Sequence, residues 1–245
     1  MQSTPRADIP SVAVPDVLAG LNVAVTGGTS GLGLALVREL RSRGAHVAFV
    51  ARARDRVEQV ASESPATAGI VGDISRKDDI HPIAMQILGR LGALDVLINS
   101  ASDLGPVPLV PLADTECEAF QRALDTNVLG PFRLTRALLG ALTASARDGR
   151  GGVVLNVSSD AGSNAYPGWG AYGASKAALD HMSRTWDAEL RAEGVRFLSV
   201  DPGDMDTPLH ALAVPDADPR TLKRPELAAH ELLAAIVAAL RRVSP

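Results

Sequence analysis

The sequence predicts a single-domain α/β protein, a doubly wound parallel sheet with helices on both faces. Three observations lead there. Six short apolar runs alternate with longer amphipathic segments. The runs are apolar at consecutive positions, as strands covered on both faces are. No repeat, low-complexity tract or linker divides the chain, so its 245 residues form one core.

Residues 1–20, punctuated by Pro5, Pro10 and Pro15, read as a loosely held lead, and residues 21–245 as the domain. Residues 21–26 (LNVAVT) form the first strand and run into the turn GGTSGLG, which opens a helix at ALVRELRSRG. Residues 45–52 and 68–74 are the next two strands, with charged, helix-compatible stretches beside them. Residues 94–101, 151–159 and 195–203 continue the series. Helices are expected around 77–89, 114–146, 171–193 and 225–242, the last opening on Pro225 and Glu226 as a first helical turn does. Either the sheet ends at six strands or the natural chain continues past Pro245.

Composition narrows the function. A formal charge of −4 without a dense basic run argues against nucleic acid as the partner. The lead lacks the apolar core of a signal peptide, and no run approaches the roughly 20 apolar residues of a membrane span. No membrane is implied, and a cytoplasmic location is expected. Cys117 is the single cysteine, and the five histidines show no metal-ligand spacing, so no metal site is assigned.

The chemistry-bearing residues lie at strand ends. Thr26, Gly27, Thr29, Ser30, Gly31, Leu32 and Gly33 join a strand to a helix N-terminus, where free N–H groups and the helix dipole favour a phosphate. The second strand ends on Ala51, not on the carboxylate that would bind a ribose 2′-hydroxyl, and Arg52 follows. A guanidinium there suits a 2′-phosphate, so NADP(H) is preferred over NAD(H). Asp73, ahead of Ile74, can meet an adenine amine or cap a helix. Tyr172 and Lys176 stand four residues apart in a helical segment, which puts a phenol and an ammonium on one face.

In the order T-G-x-x-x-G-x-G (26–33), Asn127, Ser159, Y-x-x-x-K (172–176) and P-G-x-x-x-T (202–207), the chain resembles the classical short-chain dehydrogenase/reductase family over residues 21–242. The resemblance implies a Rossmann-type fold and a hydride-transferring enzyme acting on a small carbonyl or alcohol. It implies Tyr172 as the proton donor, Ser159 as the group that polarises the carbonyl, and Asn127 as the holder of a relay water. Lys176 would hold the nicotinamide ribose and lower the Tyr172 pKa. Asn99, Ala101, Pro202, Gly203 and Thr207 would join the cofactor site, Thr207 at the nicotinamide carboxamide. Ser158 is the rival for the serine role, and the thirteen-residue spacing to Tyr172 selects Ser159.

The family's N-N-A-G is here Asn99-Ser100-Ala101-Ser102, a departure that Ser102 tolerates with a negative φ. A homodimer is implied, with a tetramer as the alternative. Residues 204–224 are expected to form a substrate lid with an apolar wall of Leu209, Leu212, Ala213 and Val214. Trp169 either lines the pocket or packs beneath the loop. The run Gly168-Trp169-Gly170 and the PGDMDT stretch are nearer the sepiapterin and benzil reductase branch than acyl-carrier reductases. An epimerase or dehydratase would carry glycine at position 30, where Ser30 stands, and a cofactor-sensing regulator would usually have lost Tyr172 or Lys176.

Overall fold

In the computed structural model, which describes residues 16–241, strand alternation explains why the runs are apolar throughout. Val23 and Val25 of β1 (Asn22–Thr26) point to one face of the sheet and Ala24 to the other, and all three are buried. The strands β2 (His46–Ala51), β3 (Thr67–Val71), β4 (Val96–Asn99), β5 (Val153–Val157) and β6 (Arg196–Val200) join it in the order β3-β2-β1-β4-β5-β6, every pair parallel. Six strands and their parallel pairing match the expectation.

Each face is closed by an apolar helix stripe. On one, α1 (Gly31–Ser42) supplies Leu36 and Leu40, α2 (Arg54–Ala61) supplies Val57 and Val60, and the C-terminal helix supplies Leu232, Leu233 and Ile236. On the other, α3 (Lys77–Leu91) packs Ile80, Ile83 and Ile87 beside Leu134, Leu138 and Leu142. Because β2 and β4 flank β1 on opposite sides, the crossovers diverge there, and a crevice opens at the strand C-termini.

The region expected as one helix over 114–146 is three pieces: α4 (Cys117–Leu124), a π turn (Asp125–Leu129) and α5 (Gly130–Arg147). Pro131 has no N–H to give the Asn127 carbonyl four residues back, so an α-helical ladder cannot run through this point. The remaining helices are α6 (Gly170–Leu190), α7 (Pro208–Ala213) and α8 (Pro225–Arg241). Of the expected lead, residues 1–15 lie outside the described residues, and Leu18 is buried in the core. Among the described residues no helix is long and apolar enough to cross a membrane, and no cluster of metal-ligating side chains occurs.

At the end of the sheet away from the crevice, the fully buried Asp95 ties three strands to α5. Its carboxylate accepts from the Asn22 N–H (2.7 Å), from Arg150 (2.9 and 3.2 Å) and from the Ser145 hydroxyl. Burial pushes this carboxyl up, but Arg150, the Asn22 N–H and Ser145 outweigh it and hold the pKa below the ordinary value. The stabilisation is therefore present above the unfolded pKa near ~4 and is lost as pH falls through the folded value. Asp95→Ala should cost about 3 kcal/mol, read as a lower urea midpoint, with less acid sensitivity than the parent. An unchanged midpoint would remove Asp95 as the lock of this end.

Candidate active site

The crevice holds a cavity of about 820 Å³ whose wall is built from the strand ends and the loops that leave them. At one side is the turn after β1. Gly27 has φ +74°, and a Cβ there would sit 2.9 Å from the Ala101 backbone, so glycine lets the turn close on the loop after β4. Thr26 works from behind, its hydroxyl accepting from the N–H groups of Ser100 and Ala101 (3.0 and 3.1 Å). Thr29, Ser30, Gly31, Leu32 and Gly33 face the cavity, and Ser30 makes no side-chain cap bond, which leaves the first N–H groups of α1 open toward it.

Arg52 lies on the cavity wall without a hydrogen bond or ion pair, whereas Arg54 turns to Glu58 (3.7 Å) and Arg56 donates to the Thr29 carbonyl (3.2 Å). Asp73 and Ile74 also line the wall. The Asp73 carboxylate closes its own turn by accepting from the N–H and hydroxyl of Ser75 (2.9 and 2.7 Å) and caps no helix, since α3 starts from Arg76 without a side-chain cap. Ala101, Pro202, Gly203 and Thr207 line it as well. Asn99 does not reach it: its amide donates to Asn156 (2.8 Å), which donates on to Ser183 (2.8 Å), a buried polar ladder inside the fold.

Tyr172, Ser159 and Lys176 converge on the cavity. Ser159 caps a 3-10 turn, Asp160–Gly162, accepting from the Ala161 N–H (3.2 Å), and its hydroxyl acts to lower the Tyr172 pKa. Ser158 is buried with its hydroxyl unpartnered. Burial lifts the Tyr172 phenol to about 12, against which hydrogen bonds from Ser102 and Ser159 pull it down, while Asp201 and Asp160 push it up. Lys176 is likewise buried, and desolvation drags its ammonium down to about 8 against the opposing pull of Asp180 and Asp201. It donates to the Val157 carbonyl (2.8 Å) and lies over the tyrosine ring, 5.4 Å from its centre. In this structure, then, the phenol is not drawn toward neutrality by the lysine. The ammonium is spent on a carbonyl and a ring face, and burial of the phenolate dominates.

Asn127, on the π turn, is also off the cavity wall. Its side-chain oxygen accepts from the Asp103 N–H (2.8 Å) and the Ser102 hydroxyl (3.2 Å), and its amide donates to the Asp103 carbonyl and the Ser175 hydroxyl (2.8 Å each). The side chain has no capacity left for a water. Ser102 keeps φ negative, since no described residue other than glycine has positive φ. It was read from sequence only as a departure, and its place on the wall beside Tyr172 follows from the loop that Asn127 holds.

Part of the segment 204–224 lines one side of the cavity. Thr207 caps α7 by accepting from the His210 N–H (3.2 Å), and Leu209, Leu212, Ala213 and Val214 face the cavity. Lys223 closes the far end, donating to the Pro202 carbonyl (2.8 Å) and pairing with Glu231 (2.7 Å). Trp169 lines the cavity and packs edge-on to Tyr172 at 5.7 Å between ring centres. Missed from sequence is Tyr166, which lines the mouth and donates to Asp160 (2.6 Å).

A family model described as short chain dehydrogenase matches residues 21–218. A short chain dehydrogenase of Pseudocercospora fijiensis is 34% identical over 200 residues, 79% of this chain and 62% of that protein, so the match spans about three fifths of that relative's length. A 3-ketoacyl-(acyl-carrier-protein) reductase from Brucella melitensis, solved with NADH, superposes with a TM-score of 0.83 at 26% identity, covering 89% of this chain and 91% of that one. A short chain dehydrogenase from Shigella flexneri, solved with NADP, gives a TM-score of 0.81 at 26% identity, with 92% of both chains covered.

The serine and the lysine are registered by one close approach. A Cβ on Gly162 would lie 3.0 Å from the Asp180 carboxylate and 3.1 Å from the α6 backbone at Lys176 and Ala177, so the Ser159 turn seats directly on α6. Gly162→Ala should displace the Ser159 hydroxyl from the phenol in a crystal structure and cost about 1–3 kcal/mol in thermal unfolding. An unmoved Ser159 would show that the seat does not set its position.

Proposed function

We propose that this chain, a member of the short chain dehydrogenase family, is an NAD(P)-dependent oxidoreductase that reduces a ketone or aldehyde to an alcohol with NADPH, or runs the reverse. The single observation that carries this reading is the convergence of a buried Tyr172, the Ser159 hydroxyl and Lys176 on one cavity that also opens onto an uncapped helix N-terminus.

The residues present fit such a cofactor. The open N–H groups at the start of α1 and the closeness of the Gly27 turn suit a pyrophosphate, and the unpaired Arg52 suits a 2′-phosphate with no carboxylate at Ala51 to repel it. When bound, the reduced nicotinamide supplies the hydride. The chain then has to manage the charge that develops on the carbonyl oxygen. Ser159 donates a hydrogen bond to that oxygen, and Tyr172 gives it a proton. A phenol held at about 12 is protonated at neutral pH and so carries the proton that reduction consumes. Lys176, at about 8, is mostly an ammonium at pH 7, and in this reading the N–H groups it does not give to Val157 serve a ribose hydroxyl.

With the Asn127 side chain fully used, a relay water falls to its backbone carbonyl, which Pro131 leaves outside the α-helical ladder. The apolar lid of Leu209, Leu212 and Ala213 beside Trp169 favours a compact, largely hydrophobic substrate. A homodimer remains the expected assembly.

Tyr172→Phe should leave NADPH binding intact, followed by quenching of protein fluorescence, while lowering ketone reduction at least about a hundredfold. Retained turnover would sink the mechanism. Arg52→Ala should raise the KM for NADPH about tenfold or more and leave that for NADH nearly unchanged, and equal losses would count against the phosphate role.

A further inference from the structure

Ser102 stands where the sequence departs from its relatives' pattern, and it puts a second hydroxyl against the proton donor. Its oxygen is 3.2 Å from the Asn127 side-chain oxygen, it lines the same cavity as Tyr172, and its hydroxyl is close enough to the phenol to pull the phenol's pKa down. The Asn127 amide is oriented without ambiguity. Its nitrogen faces the Asp103 carbonyl and its oxygen faces the Asp103 N–H, so Ser102 must be the donor toward that oxygen. In the resting site the hydroxyl hydrogen therefore points at Asn127, and the Ser102 lone pairs face the phenol O–H.

Loss of the phenol proton inverts what Tyr172 needs. A phenolate accepts only, and Ser102 can serve it by rotating its hydrogen from Asn127 to the tyrosine oxygen. That rotation leaves no orphan, because the Asn127 oxygen keeps the 2.8 Å bond from the Asp103 N–H. We propose that Ser102 is a positioning residue for the Tyr172 oxygen, a rotatable hydroxyl that accepts from the phenol at rest and donates to the phenolate once the proton has moved to substrate. No bond of Ser102 breaks. The tyrosine O–H bond breaks as the alcohol O–H forms, and Ser102 changes only its direction.

The other charged groups that face the phenol work differently. Lys176 on the same helix lies over the ring and is bonded to Val157, whereas Asp160 after β5 and Asp201 after β6 are carboxylates that oppose a phenolate. Asp103, on the loop that carries Ser102, is turned to the Gly105 N–H at 2.8 Å. Besides Ser159, then, Ser102 is the neutral donor on hand.

This inference rests on the reductase reading, and two measurements separate their fates. In alcohol oxidation with NADP⁺, where the phenolate is the base, the parent and Ser102→Thr should share one pH profile. Ser102→Ala and Ser102→Gly should move its rising limb upward by about one pH unit, about tenfold in rate below the limb. The second measurement needs no turnover. The chain has two tyrosines, so in a Tyr166→Phe background the Cζ carbon signal of labelled protein with NADP⁺ bound reports Tyr172 alone. Its ionisation should set in at higher pH in Ser102→Ala than with Ser102 present. Coincident titrations, or coincident rate limbs, would overturn the role of Ser102. Separated titrations in a protein that turns over no alcohol or ketone would uphold it and remove the reductase reading instead.

Discussion

The four hydrogen bonds of the Asn127 side chain are the constraint on which the site depends. They join the loop after β4, through both backbone groups of Asp103 and the hydroxyl of Ser102, to α6, through Ser175. Ser175 in turn donates to the Tyr172 carbonyl (2.6 Å), so the clamp reaches the backbone of Tyr172 itself. A buried amide with all four capacities used has one orientation and one place, since any shift would strand a polar group away from water. The π turn that carries it widens the helix at this residue, and π turns of this kind recur at functional sites.

Much of this was legible in the sequence, and the parts that were not have a common cause. The strands were readable because a sheet covered on both faces demands apolar residues at every position, as Val23, Ala24 and Val25 show. The glycine turn, Ser159, Tyr172 and Lys176 were readable because their chemistry requires fixed residue types at fixed distances along the chain. The break at residues 125–129 hid inside a helical pattern, although Gly130-Pro131 was a signal that the ladder could not continue. Thr26 and Asn99 at their strand ends, and Asn127 on the π turn, direct their side chains into the fold instead of onto the cavity, a distinction that residue type and spacing do not carry. Ser102 was seen as a tolerated exception, and its partner lies 25 positions away in sequence.

Burial sets the electrical character of the centre more than any pair does. Tyr172 and Lys176 are both withdrawn from water, and each is driven toward its neutral form, the phenol upward and the ammonium downward. Sequence spacing alone suggests that the ammonium dominates the phenol, because spacing carries no information about depth. The hydroxyls of Ser159 and Ser102 act against that trend locally, and they do so by direction instead of charge.

The sheet separates two duties along its length. Asp95 and its partners lock the ends of β1, β4 and β5 that lie away from the crevice, while the segment 204–224 lies at the opposite ends and is fastened there by the Thr207 cap and by Lys223. Leu209, Leu212 and Val214 are therefore free to vary without loosening the lock. For an evolving lineage, or for a protein engineer, the repertoire of accepted molecules and the durability of the scaffold are independent dials on this chain.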